Sequence, residues 1–192
     1  LGSYAQRRVV PAQQLVKLPD AVTDEQAAAM MLKGCTVQYL IRQTYPIKAG
    51  ETVLFHAAAG GCGLIACQWL KHLGARVIGT VSTAEKAELA KAHGCDHPIV
   101  YTEENFVERV RTLTDGQGVP VVYDSIGKDT FEASLDCLQP RGLLVSFGNA
   151  SGAVDPFSPA VLAAKGSLFL TRPTLATFIA TPEQLRATTS DL

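Results

Sequence analysis

The fold is decided by the stretch Thr52-Val53-Leu54-Phe55-His56-Ala57-Ala58-Ala59-Gly60-Gly61-Cys62-Gly63-Leu64-Ile65. Its first part, Val53 to Phe55, is an apolar run of strand length with β-branched or aromatic character. Small residues follow, and Gly60-x-x-Gly63 opens an apolar-periodic segment that lasts until Gly74. A strand, a tight glycine turn and a helix are the order in which a dinucleotide's phosphates are held at a helix start.

The glycine pattern of this turn is incomplete. The first glycine of the usual G-x-G-x-x-G is Ala58 here, so the motif alone is a weak indication of dinucleotide binding. A strand–helix connection that needs small residues only for packing explains the same pattern. The rest of the chain has to distinguish the two interpretations.

The composition argues against several classes of function. The 192 residues suit one domain, or one domain with appendages, and 47% hydrophobic residues suffice for a sizeable core. The net charge is −1 with no basic stripe, so nothing indicates nucleic acid or an anionic membrane as a partner. No apolar run approaches the ~20 residues of a membrane span. The sequence begins at Leu1 without a Met, and it has no charged n-region and no signal-peptide core. We therefore expect a cytoplasmic protein whose given sequence is cut from a longer one.

The five cysteines predict neither a disulfide framework nor a metal site. Their number is odd and no CxxC pair occurs, which argues against both. We expect small, mostly buried thiols of a reduced cytosolic protein. They are Cys35, Cys62, Cys67, Cys95 and Cys137.

Helices are predicted on both sides of the first strand. A capping box, Thr23-x-x-Gln26, begins a helix that continues to Gly34, and a second helix is expected from Thr36 to Tyr45. Later helices are predicted from the glycine turn to Gly74, from a Ser82-x-x-Glu85 cap to His93, over Phe106 to Leu113, over Thr130 to Leu138, and from Thr181-Pro182 onward.

Strands alternate with these helices. Beyond the first, they are predicted at 76–81, 99–100, 119–123, 143–147 and 167–171. Only a crossover can join parallel neighbours, so the pattern predicts an α/β fold with a doubly wound, six-stranded parallel sheet (a Rossmann fold). The expected strand order is 3-2-1-4-5-6, with the ligand over the C-terminal strand ends where the order reverses.

The end of the second strand favours NADP(H) over NAD(H). A carboxylate there would bond a ribose 2′-hydroxyl and repel a 2′-phosphate, but the residues are Thr80, Val81, Ser82 and Thr83. Lys86 follows one turn later at a helix start, where an ammonium and free N–H groups suit a phosphate. Glu85 is the exception, although a capping role would turn it toward the backbone. An ordinary solvated helix lysine is the alternative interpretation of Lys86.

Four blocks carry a resemblance to a known family. They are 56–69, 122–130, 146–152 and 165–173, and the likeness covers essentially the whole chain. The sequence resembles bacterial NADPH:quinone oxidoreductases, the zinc-free, zeta-crystallin-like members of the medium-chain dehydrogenase/reductase superfamily. Two departures are minor: Cys62 stands where valine is usual, and Ser82 where glycine is common.

The resemblance implies a set of cofactor-binding residues. Ala59, Gly60, Gly61, Cys62 and Gly63 match the pyrophosphate-binding stretch. Ser82, Lys86 and Tyr101 match contacts to the 2′-phosphate and adenosine, and Thr36 matches a threonine beside the nicotinamide. Two further segments match the nicotinamide half: Gly148, Asn149 and Ser151, and Thr171, Arg172 and Pro173. Thr36 as a helix start and Tyr101 as a surface aromatic remain open alternatives.

No catalytic residue and no metal ligand is assigned. His56 and Asp124 close strands at turns, and we interpret both as turn residues whose hydrogen bonds are satisfied. The resemblance implies transfer of a hydride, or of single electrons, from NADPH to a quinone or conjugated enone. A non-catalytic, crystallin-like NADPH-binding protein and an enoyl reductase of the same superfamily are the alternatives.

The resemblance also implies a division of the chain. Residues 1–18 match the tail of a GroES-like catalytic domain, 19–175 the NADP-binding domain, and 176–192 the start of a helix that returns to the catalytic domain. On that division, the 192 residues alone are expected to be inactive. The sixth strand, 166–171, is an uncharged apolar edge, which predicts a homodimer through this strand. Cover of the edge by the catalytic domain or by the helix from Thr181 is the alternative.

Overall fold

The computed structural model describes residues 4–192. Within them lies one parallel sheet with the order β3-β2-β1-β4-β5-β6, as the sequence predicts. The strands are β1 (Thr52–Phe55), β2 (Arg76–Val81), β3 (His97–Val100), β4 (Val119–Asp124), β5 (Leu138–Ser146) and β6 (Phe169–Thr171). The order reverses between β1 and β4, so their carboxyl ends open a crevice.

Helices cover both faces of this sheet. In the described part of the chain they are α1 (Asp24–Gln38), α2 (Gly61–His72), α3 (Ala84–Ala92), α4 (Phe106–Leu113), α5 (Phe131–Asp136), α6 (Ala160–Ala164), α7 (Leu175–Phe178) and α8 (Pro182–Ser190). The capping box of Thr23 and Gln26 starts α1, and that of Thr181 and Gln184 starts α8 with Pro182 at its first position.

The strands divide their side chains between two cores. Val53 and Phe55 of β1 pack into the core beneath α1, α2 and α3, whereas Leu54 packs into the core beneath α4 and α5. Both sets are fully buried because a parallel sheet is covered on both faces. Each large aliphatic or aromatic side chain in such a core contributes about 1.5–3 kcal/mol of hydrophobic stabilisation.

The helix predicted to end at Gly34 does not end there. Instead α1 runs on to Gln38 and continues as a π-helical segment, Tyr39–Thr44. A Cβ on Gly34 would lie 2.9 Å from a methyl carbon of Leu192, so this glycine permits close packing. The prediction of two helices was therefore wrong, and Thr36 lies inside a helix instead of starting one.

Other element ends also differ from the predictions. Thr83, and not Ser82, caps α3, because its hydroxyl accepts the N–H of Lys86 at 3.3 Å. The helix α5 ends at Asp136 and β5 already begins at Leu138. Ser167 has a left-handed φ of 56°, which no strand residue adopts, so β6 begins only at Phe169.

The two ends of the described part of the chain lie together beside α1. Residues 4–18 contain a 3-10 turn, Ala12–Gln14, and no strand is formed there. At the other end α8 packs on α1, where Gln38 donates a 2.8 Å hydrogen bond to the Asp191 carboxylate. The assignment of 1–18 and 176–192 to a second domain stays a prediction, and residues 1–3 lie outside the described part.

Candidate functional site

The turn after β1 has a constrained backbone. Ala57 adopts a left-handed φ of 53°, and its carbonyl accepts the N–H of Gly60 at 2.8 Å. The N–H of Ala58 donates to the Thr80 carbonyl at 3.0 Å, which ties the turn to the end of β2. A non-glycine residue in this conformation costs about 1–2 kcal/mol, so the surroundings must hold it.

Gly63 explains the tight approach of α2 to this turn. A Cβ on Gly63 would lie 2.3 Å from the Ala57 carbonyl oxygen and 2.5 Å from that of Ala58. Both atoms belong to the backbone and cannot rotate away. The last glycine of the motif is therefore required for helix–turn packing, while the buried Ala58 fills the position of the missing first glycine.

The start of α2 presents free donors and positive potential. The first intrahelical bond is that from Leu64 N–H to the Gly60 carbonyl, so the preceding N–H groups have no intrahelical partner. The first turn of α2 carries no acidic residue, and the Lys33 side chain lies against Gly61. Such a helix start suits an anionic ligand.

An open cleft of about 190 Å³ lies between this turn and the end of β2. Five of the residues that the sequence predicts for the site border this cleft: Ala59, Gly60, Ser82, Lys86 and Tyr101. Its remaining lining residues are Ala57, Thr80, Val81 and Ile126.

A hydroxyl and an ammonium are paired at the rim of the cleft. The Lys86 Nζ donates to the Ser82 Oγ at 2.9 Å. Because Thr83 caps α3, the Ser82 hydroxyl is released from the capping role predicted for it. Hydrogen bonds at the α3 start, with the backbone and with Thr83, lower the pKa of Glu85. The carboxylate is thus engaged at the helix start, and the pair at the rim is cationic.

Tyr101 supplies an aromatic wall to the same cleft. Its backbone N–H donates to the Val81 carbonyl at 3.1 Å, which fixes its position beyond β3. The side chain is 51% exposed although it lines the cleft. An accessible ring beside a cationic rim can stack on a planar heterocycle.

The loop after β5 brings further predicted residues to the same edge of the sheet. Ser151 Oγ donates to the Ile126 carbonyl at 3.0 Å, and Gly127 pairs with Gly152 as a parallel bridge. A Cβ on Gly148 would lie 2.5 Å from the Ser125 carbonyl oxygen, so this loop sits tightly on the loop after β4. Asn149 is exposed beside it.

The segment after β6 forms the far side of the site. Thr171 pairs with Val145, and Arg172 donates from Nη1 to the Ser146 carbonyl at 2.8 Å. Pro173 follows, half-buried. These residues lie at the carboxyl ends of β5 and β6, as the sequence predicts, but none of them lines the cleft described above.

Two predicted residues, Thr36 and Cys62, occupy helix positions near this edge. The Thr36 hydroxyl donates to the Leu32 carbonyl at 2.8 Å within α1. Cys62 lies in the first turn of α2 and is partly buried. Burial raises the pKa of its thiol, and the charge of Lys33 opposes this effect.

Several residues beside the site were not predicted from the sequence. Tyr39 stacks on Phe178 at 4.6 Å between ring centroids, and the Arg172 charge counteracts the increase that burial causes in the pKa of Tyr39. This links the π-helical segment to the end of β6. Ile126 was likewise missed as a lining residue, and Thr80 was noted at the end of the second strand but was not assigned to the cofactor.

Beneath the cleft lies a chain of buried polar side chains. His56 Nδ1 is 2.9 Å from Thr80 Oγ1, and its Nε2 is 2.9 Å from Ser134 Oγ. Asp124 Oδ1 accepts the N–H groups of Ile126 and Gly127 at 2.7 and 3.1 Å. Its Oδ2 accepts the hydroxyls of Thr130 and Ser134 at 2.8 and 3.2 Å. The polar atoms of His56 and Asp124 are thus satisfied, in agreement with their interpretation as turn residues.

The cysteines do not form disulfides or an obvious metal site. All five are free, four of them buried. Among residues 4–192 there is no group of three or more His, Cys, Asp or Glu side chains arranged to hold a metal ion. In the same range, no helix has both the length and the apolarity for a membrane crossing.

Comparison with known proteins gives a consistent set of likenesses. A family model described as zinc-binding dehydrogenase matches residues 61–186. The quinone oxidoreductase of Pseudomonas aeruginosa is 59% identical over 192 residues, which are 100% of this chain and 59% of that protein. The chain thus spans about three-fifths of the length of the curated relatives it matches.

Two solved structures are similarly close. The quinone oxidoreductase of Escherichia coli complexed with NADPH superimposes with a TM-score of 0.90 at 57% identity, covering 92% of this chain and 54% of that one. A 2-haloacrylate reductase superimposes with a TM-score of 0.96 at 50% identity, covering 100% of this chain and 60% of that one.

Proposed function

Because the chain belongs to the zinc-binding dehydrogenase family of the medium-chain dehydrogenase/reductase superfamily, we propose that it is the NADPH-binding part of a quinone oxidoreductase. The observation that carries the proposal is the cleft at the end of β2, where the turn that precedes α2, the Ser82–Lys86 pair and an exposed tyrosine ring face one space. NADPH offers a pyrophosphate, a 2′-phosphate and an adenine to match them.

Each part of the cofactor has a proposed binding segment. The pyrophosphate lies on the N–H groups of the 59–63 turn, and the 2′-phosphate accepts hydrogen bonds from Ser82 and Lys86. The adenine lies along Tyr101. The nicotinamide half extends toward the ends of β5 and β6, where the proposed contacts are Thr36, Gly148, Asn149, Ser151, Thr171, Arg172 and Pro173.

The absence of a carboxylate at the end of β2 sets the cofactor preference. An acidic residue there would repel the 2′-phosphate, whereas Glu85 is engaged at the start of α3. One charge-assisted contact from Lys86 is worth about tenfold in affinity, or about 1.4 kcal/mol. We therefore expect NADPH to bind at least tenfold more tightly than NADH.

The proposed reaction is reduction of a quinone or a conjugated enone. When bound, NADPH supplies the hydride, and the residues of this chain orient the cofactor and exclude water from its phosphates. Quinones also accept single electrons. The zinc of the family's description finds no fitting ligand set in residues 4–192, so no step is assigned to a metal.

A second candidate substrate class is supported by one likeness. The 2-haloacrylate reductase, an enzyme named for an activated alkene, covers the whole chain with a TM-score of 0.96. A 2-haloacrylate is a conjugated carboxylate and not a quinone. An enoyl reductase of the same superfamily belongs to this same class of activity.

One assay separates these functions. The full-length protein is mixed with NADPH, and absorbance at about 340 nm is followed after addition of quinones, enones and 2-haloacrylates. Saturable oxidation with quinones supports the first proposal, and oxidation only with acrylates supports the second. Binding of NADPH without oxidation by any acceptor would favour the non-catalytic, crystallin-like alternative.

We also propose that the protein forms a homodimer through β6. This strand is at the edge of the sheet, and Phe169 at its start is 58% exposed. An unprotected apolar edge is a pairing site, and antiparallel pairing of two copies around a two-fold axis would complete both. A cytoplasmic location stays a prediction from the sequence.

A further inference from the structure

The buried polar chain beneath the cleft has a defined hydrogen-bond direction. It runs from Asp124 through Ser134 and His56 to Thr80, and we call it the relay. All four side chains are buried, with 2% exposure or less. None of these four side chains takes part in the proposed hydride transfer, so their arrangement needs a different explanation.

The direction follows from the carboxylate. An ionised Asp124 only accepts, so the Ser134 hydroxyl donates its single proton to Oδ2. The Ser134 oxygen then accepts from His56, which places the imidazole proton on Nε2. The opposite direction would leave the Ser134 and Asp124 oxygens 3.2 Å apart with no proton between them.

The same reasoning fixes the other end. With its proton on Nε2, the neutral His56 ring accepts at Nδ1, so the Thr80 hydroxyl donates inward to it at 2.9 Å. Both lone pairs of Thr80 Oγ1 then stay free of the ring, and one of them faces the N–H of Ala57, which lies 3.4 Å away. Ala57 is the residue with the left-handed backbone at the start of the phosphate-binding turn.

We propose that the relay positions the phosphate-binding turn by holding the Thr80 oxygen as the acceptor for the Ala57 N–H. It rests on the proposed function, because the turn matters only if NADPH lies on it. The relay anchors both sides of the site, since Asp124 Oδ1 also holds the Ile126–Gly127 loop that pairs with Gly152. Ser134 and His56 are positioning residues, and neither lines the cleft.

The surroundings of His56 support a fixed, neutral ring. Besides its two hydrogen-bond partners it meets the edge of the Phe106 ring at 5.2 Å, and Asp124 is the charged group that acts on it. Burial lowers the pKa of His56, and the Asp124 charge opposes this only in part. Protonation at Nδ1 would turn this acceptor into a donor and reverse the role of Thr80.

Two measurements on the full-length protein test the relay. Long-range ¹H–¹⁵N spectra of ¹⁵N-histidine-labelled protein, with His56→Gln to assign the signal, read the tautomer without NADPH. A ring with its proton on Nε2 is expected, and a proton on Nδ1 would overturn the relay. Titration with NADPH then compares Ser134→Ala with Leu135→Val, a buried neighbour on α5 whose side chain has no hydrogen-bonding group.

The expected result separates positioning from general destabilisation. Ser134→Ala should raise the Kd for NADPH at least fivefold, whereas Leu135→Val, of similar unfolding midpoint, should change it less than twofold. Equal affinities of Ser134→Ala and wild type, or an equal loss in Leu135→Val, would overturn the positioning role. A wild type that binds no NADPH would overturn the proposed function and this role together, while the tautomer would still report the relay's direction.

Discussion

The adenosine end and the nicotinamide end of the proposed site differ in how much of their walls this chain supplies. At the adenosine end the turn after β1, the end of β2 and Tyr101 line an open cleft. At the nicotinamide end Asn149 and Arg172 are exposed, and β6 is an unpaired sheet edge. The proposed assignment therefore predicts that cofactor choice is local to these residues, whereas orientation of a substrate against the nicotinamide should depend on further surfaces.

The largest effect is expected when the 192 residues are produced alone and compared with the full-length protein. They should bind NADPH but reduce quinones no faster than free NADPH does, because the orientation that supplies most of the rate is lost. Stopped-flow or steady-state oxidation of NADPH measures this. A saturable quinone reductase activity of the 192 residues would show that the nicotinamide end is complete by itself.

The next effect concerns the packing of the turn. Gly63→Ala would place a Cβ 2.3 Å from the Ala57 carbonyl oxygen, so the turn must shift away from the helix. We expect NADPH affinity to fall by about 100-fold, or about 2.7 kcal/mol. Isothermal titration calorimetry measures the loss.

A matched control is Gly142→Ala on β5. Its Cβ would also meet a backbone oxygen, that of Gln139 at 2.9 Å, but it lies away from the turn. This variant should lose stability and keep its NADPH affinity within twofold. An equal loss of affinity in both variants would contradict a specific role of the Gly63 contact.

A change at the sheet edge should affect association and not the cofactor. Phe169→Pro removes a backbone donor and fixes φ, so the dimer should dissociate at least 30-fold more readily while NADPH still binds. Sedimentation velocity over a concentration series measures this, with Phe169→Leu as the control that keeps the donor and the apolar surface. A wild type that is monomeric at micromolar concentration would refute the interface.

A smaller effect is expected from pH. The pKa of His56 is lower in the folded protein than the ~6.5 of an unfolded chain, so its contribution is fully present above pH 6.5. As the pH falls below 6.5, the unfolded state binds a proton first, and stability should decrease by at most about 1.4 kcal/mol per pH unit. Denaturant unfolding between about pH 7 and 5 measures this slope.

The control for this prediction is His56→Gln, which cannot titrate. His97 also has a lowered pKa, from burial and then from the Arg76 charge, and it contributes equally in both proteins. The difference in slope between wild type and His56→Gln therefore reports His56 alone. Identical slopes would indicate that His56 is not held neutral by the fold.

The sequence predicts the sheet well because each strand contains a short apolar run and because segments with helical periodicity lie between the strands. The interval Arg76 to Val81 is reproduced without change, as is the order of all six strands. Gly34 was misread because a glycine inside a helix can serve packing, here against Leu192, a contact that only the tertiary structure shows. The predicted start of β6 at Ser167 was wrong for a related reason, because the left-handed backbone of Ser167 belongs to the loop that precedes β6.

The candidate site was predictable at its strand ends and less so beneath them. Ser82 and Tyr101 follow strands directly, Lys86 lies one turn beyond Ser82, and the structure brings the three to one cleft. The Ser134–His56 contact joins residues 78 positions apart, on α5 and at the end of β1, so no local pattern announces it. The sequence predicts Ser82 as the cap of α3, whereas the structure has Thr83 in that position. Neighbouring Ser and Thr hydroxyls can both accept a helix-start N–H group, so the sequence cannot distinguish them.

The most direct test of the proposed site is the ratio of the dissociation constants for NADH and NADPH in the full-length protein. Titration calorimetry with both cofactors, alongside Lys86→Ala, measures it. The Ser82–Lys86 pair predicts a ratio of at least ten that falls to within about twofold of unity in the variant. Equal affinities of the wild type for NADH and NADPH would contradict the assignment of this cleft to the 2′-phosphate.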